Sequence, residues 1–124
     1  MGVADLHCHS RFSDGTLAVE ALLALAASRG VQLLALTDHD EVSGIGEARQ
    51  AAARLGMQFV AGVEISAQWQ GASVHVVGLR INESNPELMS GLAGIRAQRD
   101  VRAQRMGEAF AAIGIPGVLD GARA

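Results

Sequence analysis

Leu33-Leu34-Ala35-Leu36-Thr37-Asp38-His39-Asp40 sets an unbroken apolar run directly against three ionisable residues. A run without polar alternation predicts a strand covered on both faces, as inside a parallel sheet. Earlier, Gly2 to Leu6 reads as a strand leading into His7-Cys8-His9-Ser10, and later Met57 to Val63 reads as a third strand closing on Glu64. Two helical segments lie between them. The first runs from Gly15-Thr16, with Thr16 as N-cap, to Gly30 at the C′ position. The second has Ser43 as cap, repeats Ile45, Ala48, Ala52 and Leu55 at helical spacing, and stops at Gly56. This alternation predicts an α/β fold with a parallel sheet and right-handed crossovers.

After Glu64 the pattern changes. Ile65 to Trp69 and Ser73 to Leu79 flank Gln70-Gly71-Ala72, which predicts a β-hairpin. The polar stretch Asn82 to Pro86 marks a boundary, giving residues 1–85 and 86–124 as two parts. From Pro86 to about Ile113 the chain reads as helix, with Leu88, Leu92 and Ile95 on one stripe and Met106, Phe110 and Ile113 on another. Gly91, Gly94 and Gly107 leave open whether it is one helix or two. Gly114-Ile115-Pro116-Gly117 stops it, and Val118 to Ala124 is a helix-like tail.

The 124 residues fit one small domain, 49% hydrophobic and 19% charged. A net charge of −3 argues against capture of long duplex nucleic acid, but leaves room for a small phosphorylated substrate or a short single strand. The longest apolar run, Ala21 to Ala27, falls well short of the roughly 20 residues of a membrane span. No signal-peptide pattern opens the chain, and the single cysteine, Cys8, cannot form an internal disulfide. The expectation is a cytoplasmic protein that is not membrane-bound.

His7 and His9, two apart at a strand end, project to one side, with Cys8 packing on the other. Two imidazoles on one face of a core strand point to a shared metal. Asp14, in Ser13-Asp14-Gly15, either ligates or only makes the turn. His39 is expected to be a ligand, with Asp38 or Asp40 fixing its tautomer, although Asp40 could instead cap the next helix. Glu64, at the carboxyl end of a strand, has two oxygens able to bridge two metals. His75, inside Val74-His75-Val76-Val77, would alone be a core histidine, and its company makes it a ligand. Gly44-Ile45-Gly46 lacks the third glycine of a dinucleotide fingerprint, since Arg49 stands there. Arg96, Arg99, Arg102 and Arg105 recur every third residue, drifting about 60° per step on a helix. They form either a solvated face or a phosphate clamp, for which Arg99 and Arg102 are the choice.

Asp5-Leu6-His7-Cys8-His9-Ser10, Ser13-Asp14-Gly15, Thr37-Asp38-His39-Asp40, Gly62-Val63-Glu64 and Val74-His75-Val76-Val77-Gly78-Leu79 follow in that order. Over residues 3–79 the sequence thereby resembles the PHP (polymerase and histidinol phosphatase) family of metallophosphoesterases. The likeness is strongest to the branch of nucleoside 3′,5′-bisphosphate phosphatases and 5′-to-3′ exoribonucleases. It implies the N-terminal part of a distorted seven-stranded β/α barrel, followed from Pro86 by the start of a helical lid insertion. It implies hydrolysis of phosphomonoesters of small nucleotides, or of short single-stranded RNA. Histidinol phosphatase and polymerase-associated exonuclease are sister activities, and a non-catalytic metal-binding module is the alternative from another class. In the resemblance, His7 and His9 would bind one metal, Asp14 and His39 a second, and Glu64 would bridge the first to a third that His75 also ligates. Two or three divalent ions follow, Mn²⁺ foremost, with Zn²⁺, Fe²⁺ or Mg²⁺ as others. A metal-activated hydroxide would attack, so no serine or cysteine nucleophile is expected. The family's later histidine and Asp-x-His ligands are absent from these residues, so the chain reads as part of a longer one.

Overall fold

Leu34, Ala35 and Leu36 are almost wholly buried, as an uninterrupted apolar strand requires. The element containing them, β2 (Val31–Leu36), lies between two parallel neighbours, β1 (Val3–Cys8) and β3 (Gln58–Trp69). β4 (Ala72–Leu79) adds an antiparallel edge, so the sheet order is β1-β2-β3-β4. The computed structural model describes residues 2–124.

The third strand does not stop at Glu64, as its sequence predicts. Residues Gln58 to Ala61 pair with β2, and from Gly62 to Trp69 the same strand pairs with β4. One continuous element therefore replaces the expected strand and hairpin arm. The turn between β3 and β4 is made by Gln70 (φ 48°) and Gly71 (φ 80°). Two consecutive left-handed residues match the twist of a hairpin, and Gly71 adopts that conformation without a Cβ penalty.

Two helices pack between the parallel strands in sequence, α1 (Val19–Ser28) and α2 (Ile45–Arg54). Neither uses its expected cap. Thr16 lies in a loop whose carbonyl accepts from Arg11 Nε at 2.8 Å, and Ala18 stands at the N-cap without a side-chain bond. The Ser43 hydroxyl donates to Glu41 Oε1 at 2.7 Å, and Gly44 takes the N-cap of α2. The C-terminal ends follow expectation, with Gly30 (φ 81°) and Gly56 (φ 66°) left-handed just past each helix. Val19 and Leu23 of α1 and Ala48, Ala51 and Ala52 of α2 form one core cluster with Leu34 and Leu36. Leu55, expected on the buried stripe, is exposed. A second cluster joins Val42, Ile45, Ala61, Val63 and Leu92, with Leu88 and Met89 packed against it.

Asn85 Oδ1 accepts from the Leu88 N–H at 2.9 Å and opens α3 (Pro86–Ala112), a single helix that its glycines do not break. The chain divides into two compact units within α3, after Leu92. The second unit holds the rest of α3 and α4 (Val118–Arg123), where Leu119 packs on Gly107 and Arg123 pairs with Asp100 at 3.6 Å. Met106, Phe110 and Ile113 are exposed. Among the described residues no helix is long and apolar enough to cross a membrane.

Beyond β4, Glu83 pairs with Arg49 of α2 at 2.7 Å. A bond from its own main chain and then the Arg49 contact hold the Glu83 carboxyl below its usual range, against a smaller opposing effect of burial. A depressed carboxyl stabilises the fold above its unfolded pKa, and that stability is lost as pH falls through the folded value. Glu83→Gln should therefore lower stability by about 0.5 kcal/mol at pH 7, the scale of a partly exposed pair. In urea titrations the difference from wild type should vanish in the acid range.

Candidate metal centre

At the end of β1, His7 and, one residue past the strand, His9 fall on one side and Cys8 on the other. Both imidazoles reach the same carboxylate oxygen, His7 Nε2 at 2.7 Å and His9 Nε2 at 3.0 Å from Glu64 Oε2. Cys8 turns away, and its thiol donates to the Ala35 carbonyl at 3.3 Å.

Glu64 is brought there by main-chain pairing. Its N–H donates to Asp38 O at 3.1 Å and its carbonyl accepts from Asp40 N–H at 2.9 Å, an isolated parallel bridge between Glu64 and His39. Asp40 sits at φ 53°, a left-handed conformation that aspartate tolerates better than most residues. His39 consequently faces the same carboxylate, with Nε2 at 3.6 Å from Glu64 Oε2. His75 comes from β4, opposite Ser66 in the register, and its Nδ1 lies 3.2 Å from Glu64 Oε1. Asp14 completes the group from the loop after β1, with Oδ1 at 3.5 Å from His9 Nδ1 and Oδ2 at 3.5 Å from His39 Nε2.

All six side chains singled out in the sequence thus meet. They form three overlapping triads, His7-His9-Glu64, His9-Asp14-His39 and His39-Glu64-His75, each with its donor atoms within 4.8 Å of one another. The four rings stand in a row, with centroids 5.1, 4.7 and 4.8 Å apart.

Hydrogen bonding alone does not complete this arrangement. His9 has a carboxylate near each ring nitrogen, and its buried Nδ1 has no hydrogen-bond partner. A buried nitrogen without a partner is costly, and a cation among these oxygens and nitrogens would satisfy it. The residues fit a divalent metal of borderline softness. In the metal-free chain, burial pushes the Glu64 carboxyl up, but the His7 hydrogen bond and the charges of His39, His7 and His9 outweigh it and leave it below the ordinary value.

Asp38 and Asp40 are buried, and both bond serines. Asp38 Oδ1 accepts from Ser10 N–H and Ser13 Oγ, and Oδ2 from Ser10 Oγ, each at 2.7 Å. Asp40 accepts from Ser66 N–H and Oγ, both at 2.7 Å. These serines were not singled out in the sequence, although each stands within two residues of a ligand candidate. Arg99 and Arg102 lie on α3 in the second unit.

A PHP domain pattern matches residues 5–108, most of the chain. The chain belongs to the PHP family. A 3′,5′-nucleoside bisphosphate phosphatase of Chromobacterium violaceum is 49% identical over 98% of this chain and 43% of its own length. A 5′-3′ exoribonuclease of Haemophilus influenzae is 43% identical over 97% and 44%. A solved Chromobacterium violaceum structure, described as an amidohydrolase with bound sulfate and no metal, superposes with a TM-score of 0.90 at 49% identity, over 97% of this chain and 42% of the other. One from Bifidobacterium adolescentis, described as a metal-dependent phosphoesterase, gives 0.82 at 36% identity over 88% and 38%. The chain therefore spans less than half the length of these relatives. Its sheet and helices correspond to the N-terminal part of a PHP barrel.

Gly15 explains why the PHP turn at Ser13-Asp14-Gly15 closes so tightly. A Cβ at Gly15 would stand 2.3 Å from the His9 carbonyl oxygen and 2.6 Å from its carbon. Gly15→Ala should push the loop off His9 and destabilise the chain by about 2 kcal/mol, measured by urea unfolding. Cys8 gives an independent check on β1. Burial, with Asp5 and Asp38 adding to it, pushes its thiol up to about 12. Alkylation by iodoacetamide at pH 8 should run about 100-fold slower in the folded chain than in urea.

Proposed function

We propose that this chain carries the metal-binding half of a phosphoesterase site that hydrolyses small phosphorylated nucleotides. The observation that carries the reading is the set of three overlapping triads sharing His9, His39 and Glu64. His7, His9 and Glu64 would hold one divalent ion, Asp14 and His39 with His9 a second, and His39, Glu64 and His75 a third. Mn²⁺ is the first choice, with Zn²⁺, Fe²⁺ and Mg²⁺ next, because imidazole nitrogen and carboxylate oxygen are mixed in the donor set. When bound, such ions acidify water and neutralise charge on phosphoryl oxygens.

The chain's own residues set the conditions for that chemistry. Glu64 is 5% exposed, so its carboxylate is held among nitrogens rather than in water. Ser10 is fully buried with its hydroxyl hydrogen-bonded to Asp38, and Cys8 is held as a thiol, so neither serves as a nucleophile. The attacking group is then water, as the expectation from the sequence has it.

A nucleoside 3′,5′-bisphosphate is the favoured substrate, with short single-stranded RNA next, because relatives of both names align with nearly the whole chain. The helical segment from Pro86 is proposed as the start of an insertion, with Arg99 and Arg102 as candidates for contacting substrate phosphates. The unpaired Cys8 fits a reducing, cytoplasmic setting.

The test is direct. The full chain, loaded with Mn²⁺ and desalted, should retain two or three ions, and a chelator should remove them. Phosphate release from a nucleoside 3′,5′-bisphosphate should exceed that from histidinol phosphate and should stop with the chelator. His7→Ala should lower turnover by at least about 100-fold. Retention of no metal sinks the reading, and retention without turnover leaves only a metal-binding module.

A further inference from the structure

Asp14 is the least anchored of the six converging side chains. Its carboxylate is 68% exposed, whereas Glu64 is buried and pinned through both main-chain groups. What holds Asp14 is its loop, with only a long 3.5 Å contact from the Ser13 hydroxyl, whose short bond goes to Asp38, reaching its Oδ1 directly. The Ser10 carbonyl accepts from the N–H groups of Ser13 at 3.1 Å and Gly15 at 2.9 Å, and Ser10 Oγ accepts from Phe12 N–H at 3.2 Å. Ser10 is in turn fixed by Asp38, and Ser13, the residue directly before Asp14, donates its hydroxyl to the same Asp38 oxygen at 2.7 Å. Asp38 is 1% exposed and lies next to His39, the imidazole that Asp14 faces. One buried carboxylate thus ties together the two segments whose side chains must meet in the His9-Asp14-His39 triad.

The other triads share His9 and His39 with this one but do not contain Asp14. Glu64 and His75 are joined by the β3–β4 register, and the segment after Glu64 is fastened by Asp40 through Ser66. The neighbours of His39 are therefore divided, with Asp38 serving the Asp14 loop and Asp40 serving β3. Resting on the metal reading above, we infer that Ser13, through Asp38, is a positioning residue for Asp14. It sets the affinity of the one ion position that Asp14 completes and leaves the positions built on Glu64 unaffected.

The experiment is a Mn²⁺ titration of the full chain by calorimetry, in a double-mutant cycle of Ser13→Ala and Asp14→Ala. Ser13→Ala should weaken one class of ions by about tenfold, the scale on which groups supporting a ligand act. The remaining ions should bind within about twofold of wild type, inside the scatter expected for uncoupled sites. Ser13→Thr, which keeps a hydroxyl, should restore the weakened class. In the Asp14→Ala background, Ser13→Ala should produce no additional loss, because the group it positions is gone. The inference is overturned if Ser13→Ala binds like wild type. It is equally overturned if the same tenfold loss appears in the Asp14→Ala background, or if every ion weakens together, since either marks a general effect on the fold. A wild-type chain that binds no Mn²⁺ overturns the metal reading itself, and the positioning role with it.

Discussion

The parallel bridge between His39 and Glu64 is the constraint on which the rest of the site depends. Two main-chain hydrogen bonds, at 3.1 and 2.9 Å, lock Glu64 between Asp38 and Asp40. Backbone bonds fix position without the rotamer freedom that a side-chain tether would leave. A buried carboxylate so placed gives four histidines, from the ends of β1 and β2 and from within β4, a common point to face. The bridge sets that carboxylate beside His39, while His7 and His9 reach its Oε2 from the end of β1.

That dependence also explains how the sheet and the site share residues. β3 changes partner at Gly62, leaving β2 for β4, and Glu64 follows two residues later. At such a switch the sheet opens and a side chain can reach ends of strands on both sides. The parallel half delivers His7, His9 and His39, and the antiparallel half delivers His75.

Much of this was legible in the sequence, for identifiable reasons. The apolar run at Leu33–Leu36 predicted a buried central strand because only burial on both faces tolerates it. The facing of His7 and His9, opposite Cys8, follows from strand periodicity alone. The differences have two causes, contacts inside the loops before the helices and hydrogen bonds whose second partner lies far along the chain. Thr16 and Ser43 are good cap residues by type, yet loop contacts to Arg11 and Glu41 hold them out of those roles. Glu64 reads as the end of β3 because a carboxylate looks like a terminus when its partners, up to 57 residues away, are unseen. The serine partners of Asp38 and Asp40, 25 to 28 residues distant, leave no local pattern in the sequence.

Asp40 combines two demands that few side chains meet together. Its backbone is left-handed at φ 53°, and its carboxylate accepts two bonds from Ser66. Glycine would satisfy the backbone and forfeit both acceptors. Glutamate would keep the charge on a longer arm with a less tolerant backbone, and asparagine would keep the shape but bring a donor where two donors already point. Aspartate answers both demands at once, so residue 40 is constrained by backbone and acceptor geometry together although it is not among the proposed ligands.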